Sequence, residues 1–163
     1  MSDRLGVTKT YKLHIGGGFP RTESGRSISI EQAGEGQVAH VCRASRKDLR
    51  NAVEAARGAQ PRWADANAYL RGQILYRLAE MMEGKVDELS AAVGVGGDAS
   101  KSGVSARREV ELAIDRVIAF AGWADKYQQV IGSHNPVTGP YYNFSVPEAV
   151  GVVGVLAPNE PSL

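Results

Sequence analysis

The stretch VGVVGVL at Val150–Leu156 decides how this 163-residue chain is read. It is apolar on both faces, as a strand buried in a parallel sheet is, and a parallel sheet implies an α/β fold. In open α/β sheets, ligands bind beyond the carboxyl ends of such strands. Pro158, Asn159 and Glu160 stand at that place. An Asn159 amide there can donate to a developing oxyanion. Equally, Asn159 can cap a following helix, with Pro161 in its first turn.

Upstream, from residue 132, the chain reads as extended. Asn135–Pro136 and Thr138–Gly139–Pro140 are turn signals, Tyr141–Val146 reads as an exposed strand, and Pro147 confines it to a sheet edge. The triplet Asn143-Phe144-Ser145 has the letters of a glycosylation acceptor and no secretory context. A long helix is expected over 104–130, with Val110, Ala113, Ile114, Val117, Ala121 and Ala124 on one face. Arg107 and Arg108 are expected to pair with Glu111 or Asp115. The cluster GVGGDASKSG at 94–103 breaks the helical pattern. Its Gly94, Gly96 and Ala99 match the loose dinucleotide fingerprint, but that fingerprint needs a preceding strand and the residues before it are helix-periodic.

Further back, Val86, Leu89 and Val93 mark a short helix. A helix over 69–85 is expected to bury Leu70, Ile74, Leu78 and Met81 or Met82. Glu80, Glu83, Asp87 and Glu88 read as a solvated face. Ser45 and Asp48 have capping-box spacing, opening a helix with Leu49, Val53 and Ala56 that fades near Gly58 and Pro61. Tyr11–Ile15, Ser27–Ile30 and Gln37–Arg43 alternate as strands, the first two as a hairpin with a long loop. Residues 1–10 read as a flexible arm.

Lys plus Arg number 19 and Asp plus Glu 18, a net charge of +1. That balance argues against a nucleic-acid partner, which demands a cationic excess. With 23% charged and 43% hydrophobic residues the composition is that of a globular protein. A chain of this length can bury roughly 70% of its unfolded surface. The single Cys42 excludes an internal disulfide and, inside a strand, reads as an inert thiol rather than a nucleophile. His14, His40 and His134 share no ligand spacing, so no metal is expected. No apolar run approaches the ~20 residues of a membrane span, and the opening MSDRLGVTKTYKLHI lacks the apolar core of a secretory signal, so no membrane partner and a cytoplasmic location are expected.

Several stretches together resemble the N-terminal part of the NAD(P)-dependent aldehyde dehydrogenase superfamily. They are Ile15–Gly17 followed by Ser24–Arg26, DLRNAVEAARGAQPRWAD at 48–65, YLRGQILYRLAEMMEGKVDELSA at 69–91, AIDRVIAFAGWADKY at 113–127 and VPEAVGVVGVLAP at 146–158. The resemblance covers nearly the whole chain from Lys12. It implies a helix-rich, incomplete α/β fold: N-terminal strands and helices over 11–131, a protruding oligomerisation-type hairpin over 132–147, and over 148–163 the first parallel strand of an incomplete nucleotide-binding domain. It also implies NAD or NADP as cofactor, with Leu156, Ala157 and Pro158 beside it.

The family follows this strand with Pro-Trp-Asn-Phe-Pro, whose Asn donates to the thiohemiacetal oxyanion. Aligned without a gap, Pro158 matches while Asn159 replaces the Trp and Glu160 the Asn. A one-residue deletion restores Asn159 to the Asn position, whereas a carboxylate at Glu160 would repel the oxyanion. The text at 94–103 also departs from the family's Glu-Thr-Gly-Lys type. In the family the Cys nucleophile, the Glu general base and the loops holding the pyrophosphate lie downstream of Leu163, and Cys42 does not align with the nucleophile. The expectation is an N-terminal segment inactive by itself. The competing readings are a non-catalytic interaction module or half of a split protein, completed by a homo-oligomer or a complementary chain, and a self-contained helical bundle.

Overall fold

The computed structural model describes residues 7–32, 36–96, 105–131 and 134–157, which fall into two units, Met1–Gln60 and Pro61–Leu163. In the first unit, β1 (Lys9–Tyr11), β2 (Ser27–Gln32) and β3 (Gly36–Cys42) form one sheet in the order β1-β3-β2. β3 pairs in parallel with β1 and antiparallel with β2, with a register shift between Ile30 and Glu31.

The hairpin is therefore β2–β3, not the expected pairing of the first two strands. The reason lies at Gly16 and Gly17, whose φ values of 59° and 81° suit glycine. They close a tight turn in which Ile15 and Gly18 exchange two backbone bonds of 3.0 Å, so Ile15 is spent locally instead of extending β1. Within the part expected to be an arm, Lys9 and Thr10 belong to β1, while residues 1–6 lie outside the described residues.

α1 (Arg46–Asp65) opens on the expected capping box. The Ser45 amide donates to Asp48 Oδ2 at 2.8 Å, and the Asp48 amide donates to Ser45 Oγ at 3.2 Å. The carboxylate does more than cap. It accepts from Thr22 Oγ1 at 2.6 Å and from the Glu23 amide at 3.2 Å, tying the loop before β2 to the helix start. Thr22 and Asp48 are both buried. The Thr22 hydrogen bond, then the bond from the Ser45 backbone, hold the Asp48 carboxyl down at about 2, against an opposing push from burial.

α1 does not fade at Gly58 and Pro61 but runs through both. The proline removes one ladder bond, and the Arg57 carbonyl left over stands on an exposed turn where water can replace the donor. Ala52, Val53 and Ala55 are its half-buried residues, while Leu49 is exposed.

In the second unit, α2 (Ala68–Glu83), α3 (Val86–Gly96), α4 (Ala106–Trp123) and α5 (Tyr127–Ile131) follow. Asn67 caps α2 by accepting from the Leu70 amide at 2.7 Å, and Ser105 caps α4 by accepting from the Arg108 amide at 3.3 Å. The core is small: Ala79, Val86, Val110 and Ile114, with Met82, Leu89, Val93 and Val117 packed around it. Arg107 joins Asp87 at 2.7 Å and Glu111 at 3.3 Å, and Arg108 reaches Glu111 at 3.5 Å. Glu111 thus takes the expected pairing, and Asp87, expected to be only solvated, ties α3 to α4.

Two expectations about the helices change. The helix over 104–130 is two helices: α4 stops at Trp123, and residues 124–126 form a turn before α5. There Lys126 Nζ donates to the Gly122 carbonyl at 3.1 Å, satisfying an acceptor the broken ladder leaves open. α2 also buries a different face. Leu70, Ile74, Leu78 and Met81 are exposed, while Gly72, Leu75, Ala79 and Met82 face inward. Gly72 explains the choice. A Cβ on it would stand 2.9 Å from the Ala121 carbonyl oxygen and 3.5 Å from Ala124 Cβ, so only the small-residue face of α2 can approach α4 this closely.

Over 134–146 the chain doubles back. His134 and Phe144 form an isolated antiparallel bridge, the Asn135 amide donates to the Asn143 carbonyl at 2.8 Å, and Asn135 Nδ2 bonds Asn143 and Ser145. Residues 132 and 133 lie outside the described residues. Neither Tyr141–Val146, apart from the bridge at Phe144, nor Val150–Leu156 forms the expected strand, and Val150–Leu156 is not buried as its two-faced apolar text predicts. Val150 is 92% and Leu156 100% exposed, because no strand among the described residues pairs with it.

Two measurements check these contacts. Gly72→Ala should lower stability by about 1–3 kcal/mol in urea unfolding, through overpacking against the Ala121 carbonyl. Gly122→Ala, on α4 with open space around it, should instead raise it by up to about 1 kcal/mol. Asp48 has a depressed folded pKa, so its stabilisation is fully present above the unfolded value of about 4 and is lost as pH falls towards about 2. Stability followed from pH 5 to pH 2 should therefore fall more steeply in wild type than in Asp48→Asn.

Candidate functional site

The residues expected to carry chemistry sit at the end of the chain. Leu156 and Ala157 are exposed, and Pro158, Asn159 and Glu160 lie outside the described residues, so neither alignment of the oxyanion Asn is decided by geometry. The fingerprint glycines Gly94 and Gly96 belong to α3, a helix where the motif demands a strand-to-helix turn, and Ala99 lies outside the described residues. Cys42 ends β3 opposite Ser27 and is half-buried. His40 faces Thr10 and Ser29 within the sheet, His14 packs against the Phe19 ring, and His134 packs against the Tyr142 ring. Among the described residues no group of three or more His, Cys, Asp or Glu is placed to hold a metal ion.

What the structure does assemble is an apolar groove of about 960 Å³ in the second unit. Trp63 and Ala64 at the end of α1, Leu75 on α2, and Phe120 and Trp123 on α4 make its walls, with Tyr127 and Ile131 of α5. Pro147, Glu148 and Ala149 border it immediately before the exposed Val150–Leu156 segment. Arg71 reaches into the same place, but its guanidinium donates to the Ala64 carbonyl at 3.4 Å and to the Ala66 carbonyl, closing the corner between α1 and α2. The ionisable side chains lining the groove are Arg71, Tyr127 and Glu148. No thiol or imidazole is among its lining residues.

A second, smaller groove of about 640 Å³ lies between α2 and α4, over Tyr69, Gly72, Tyr76, Ile118 and Ala121. The exposed Leu70, Ile74, Leu78 and Met81 add a further apolar stripe on α2. Contiguous apolar surface of this kind marks a place made to be covered. The large groove had a signal in the text: Phe120, Trp123, Tyr127 and Ile131 follow one another at spacings of three and four, a second stripe beside the buried one.

The family model described as "Aldehyde dehydrogenase family" matches residues 20–163. Omega-crystallin of Enteroctopus dofleini is 31% identical over 160 residues, covering 95% of this chain and 31% of that protein. "Aldehyde dehydrogenase, cytosolic 1" of Elephantulus edwardii is 33% identical over 159 residues, covering 93% of this chain and 30% of that protein. The solved NAD+ complex of an aldehyde dehydrogenase from Bacillus cereus superposes with a TM-score of 0.71 at 27% identity, over 83% of this chain and 27% of that one. The chain thus spans about 30% of the length of these relatives.

The groove's walls are open, so they should contribute little to the unit's own stability. Phe120→Ser is expected to change unfolding stability by no more than about 0.5 kcal/mol while reducing binding of an environment-sensitive apolar dye. Val110→Ala, at a fully buried position, is expected to cost about 2 kcal/mol.

Proposed function

The chain belongs to the aldehyde dehydrogenase family, and from that premise we propose that it is the N-terminal scaffold of an NAD(P)-dependent aldehyde-oxidising domain. Its role is to present packed helices and the extended apolar segment Val150–Leu156, which would become a strand only on pairing, to the rest of that domain, and by itself it is inactive. The observation that carries this reading is the uncovered apolar surface. The Trp63–Phe120–Trp123 groove, the Leu70–Met81 stripe and Val150–Leu156 are all exposed in a chain that spans under a third of its relatives.

In the proposed whole domain, Leu156, Ala157 and Pro158 stand beside the dinucleotide. Leu156 and Ala157 are both exposed, so these two residues offer backbone to the dinucleotide without an enclosing wall. The cofactor, when bound, supplies the hydride acceptor. Asn159, in the alignment with one residue deleted, donates its side-chain amide to the oxyanion; in the ungapped alignment Glu160 occupies that position and opposes the charge.

A second reading is favoured by the exposed Leu70, Ile74, Leu78 and Met81 stripe: a non-catalytic interaction module, or half of a split protein, covered by another copy or by a complementary chain. No helix among the described residues is long and apolar enough to cross a membrane. The proposed compartment is the cytoplasm, which suits a single unpaired cysteine.

The test is direct. The purified 163-residue chain, mixed with NAD or NADP and a panel of aliphatic and aromatic aldehydes, should produce no reduced nicotinamide above the blank. Aldehyde-dependent turnover would refute the scaffold role.

A further inference from the structure

The first unit carries a charge that the whole-chain balance conceals. Residues 1–60 hold ten Lys plus Arg against six Asp plus Glu, while residues 61–163 hold nine against twelve. The units also differ in how those charges are paired. Arg77, Lys85, Arg107, Arg108 and Lys126 of the second unit each have a carboxylate partner. In the first unit, among the described residues, only Lys47 forms an ion pair, at 2.9 Å to Glu23.

The unpaired cations gather where β3 hands over to α1. Arg26 and Arg43 stand opposite one another one residue past the β2–β3 ladder, joined by a backbone bond of 3.0 Å from the Arg43 amide to the Arg26 carbonyl. Arg46 occupies the first turn of α1, and Arg50 stands one turn on. Arg21 adjoins Thr22, whose bond to Asp48 ties that loop to the same helix start. All five arginines are exposed. The acidic groups nearby do not neutralise them. Asp48 is buried under its bonds from Thr22, Ser45 and Glu23, and Glu23 is taken by Lys47. Glu54, one turn beyond Arg50, forms no ion pair among the described residues.

Three local rules are broken at this one place. Like charges directly opposite across a strand pair repel, as do like charges four residues apart on a helix. A cation in the first helical turn opposes the helix dipole. Local rules broken together without a compensating contact mark a functional surface. Guanidinium forks grip oxyanions with two parallel hydrogen bonds. The five arginines spread over a strand end, a loop and two helical turns, so a single small anion does not engage them together. A long polyanion is disfavoured by the acidic surplus of the second unit and the net charge of +1. A short carboxylate-rich chain meets both conditions. We propose that Arg21, Arg26, Arg43, Arg46 and Arg50 form a docking surface for an acidic polypeptide segment. This inference stands on the charge of the first unit, independently of any catalytic reading.

A fluorescently labelled octaglutamate peptide, titrated with the intact chain and followed by anisotropy, should bind saturably at low salt and weaken as salt rises. The triple variant Arg43→Gln, Arg46→Gln, Arg50→Gln should weaken binding roughly tenfold with helical circular dichroism unchanged. Arg116→Gln, which removes an exposed cation of the second unit, should leave binding as it is. Arg46→Gln should leave the urea midpoint unchanged or raise it, because it relieves repulsion. The absence of saturable binding, equal weakening by Arg116→Gln, or a lower urea midpoint for Arg46→Gln would each overturn the proposal. So would tighter binding of inorganic tripolyphosphate or of an oligothymidylate of equal length, which would assign the surface to phosphate or to nucleic acid. Aldehyde turnover by the chain would overturn the scaffold reading and leave these outcomes unchanged.

Discussion

Where Gly72 passes the Ala121 carbonyl, α2 and α4 come so close that a Cβ on residue 72 would stand 2.9 Å from the carbonyl oxygen. That approach decides what else the second unit can bury. With Gly72 against α4, the residues three and four positions apart along the same line, Leu75, Ala79 and Met82, turn inward. Leu70, Ile74, Leu78 and Met81 are then carried to the surface. The same placement sets Val110 and Ile114 into the core and leaves Phe120 and Trp123 on a groove wall. One small residue thus determines both the core and the surfaces that await a cover.

In the first unit Asp48 plays the comparable part. Its carboxylate satisfies two helix-start or loop amides and the Thr22 hydroxyl together, so the start of α1 and the loop leading into β2 hold one another in place. A capping residue alone would need only the bond to Ser45. The additional donors, the Thr22 hydroxyl and the Glu23 amide, explain why a charged Asp48 carboxylate is accommodated while buried.

Membership of the aldehyde dehydrogenase family gives the exposed surfaces a sense that a free-standing bundle would not. A core of four buried apolar residues in the second unit, beside large open apolar grooves, is what one segment of a larger layered fold presents. The groove offers shape and apolar area through Trp63, Leu75, Phe120, Trp123 and Ile131.

Much was legible in the text. The capping box at Ser45 and Asp48, the inward face of α4 at Val110 and Ile114, and the pairing of Arg107 and Arg108 with Glu111 are set by local spacing, because residues three and four apart on a helix meet whatever surrounds them. Family membership was legible too, through the combined motifs rather than any one of them. Tertiary structure alone decided the rest. The apolar arc of α2 is wider than one neighbour covers, running from Leu70, Ile74 and Leu78 round to Leu75, Ala79 and Met82, so periodicity could not tell which part of it a neighbour would take until the Gly72 contact chose it. Strand order was likewise open, because β1, β2 and β3 all alternate, and only the tight Gly16–Gly17 turn left β3 to lie between the other two. Val150–Leu156 carries the text of a buried strand, yet burial belongs to the neighbours a strand has and not to its own residues.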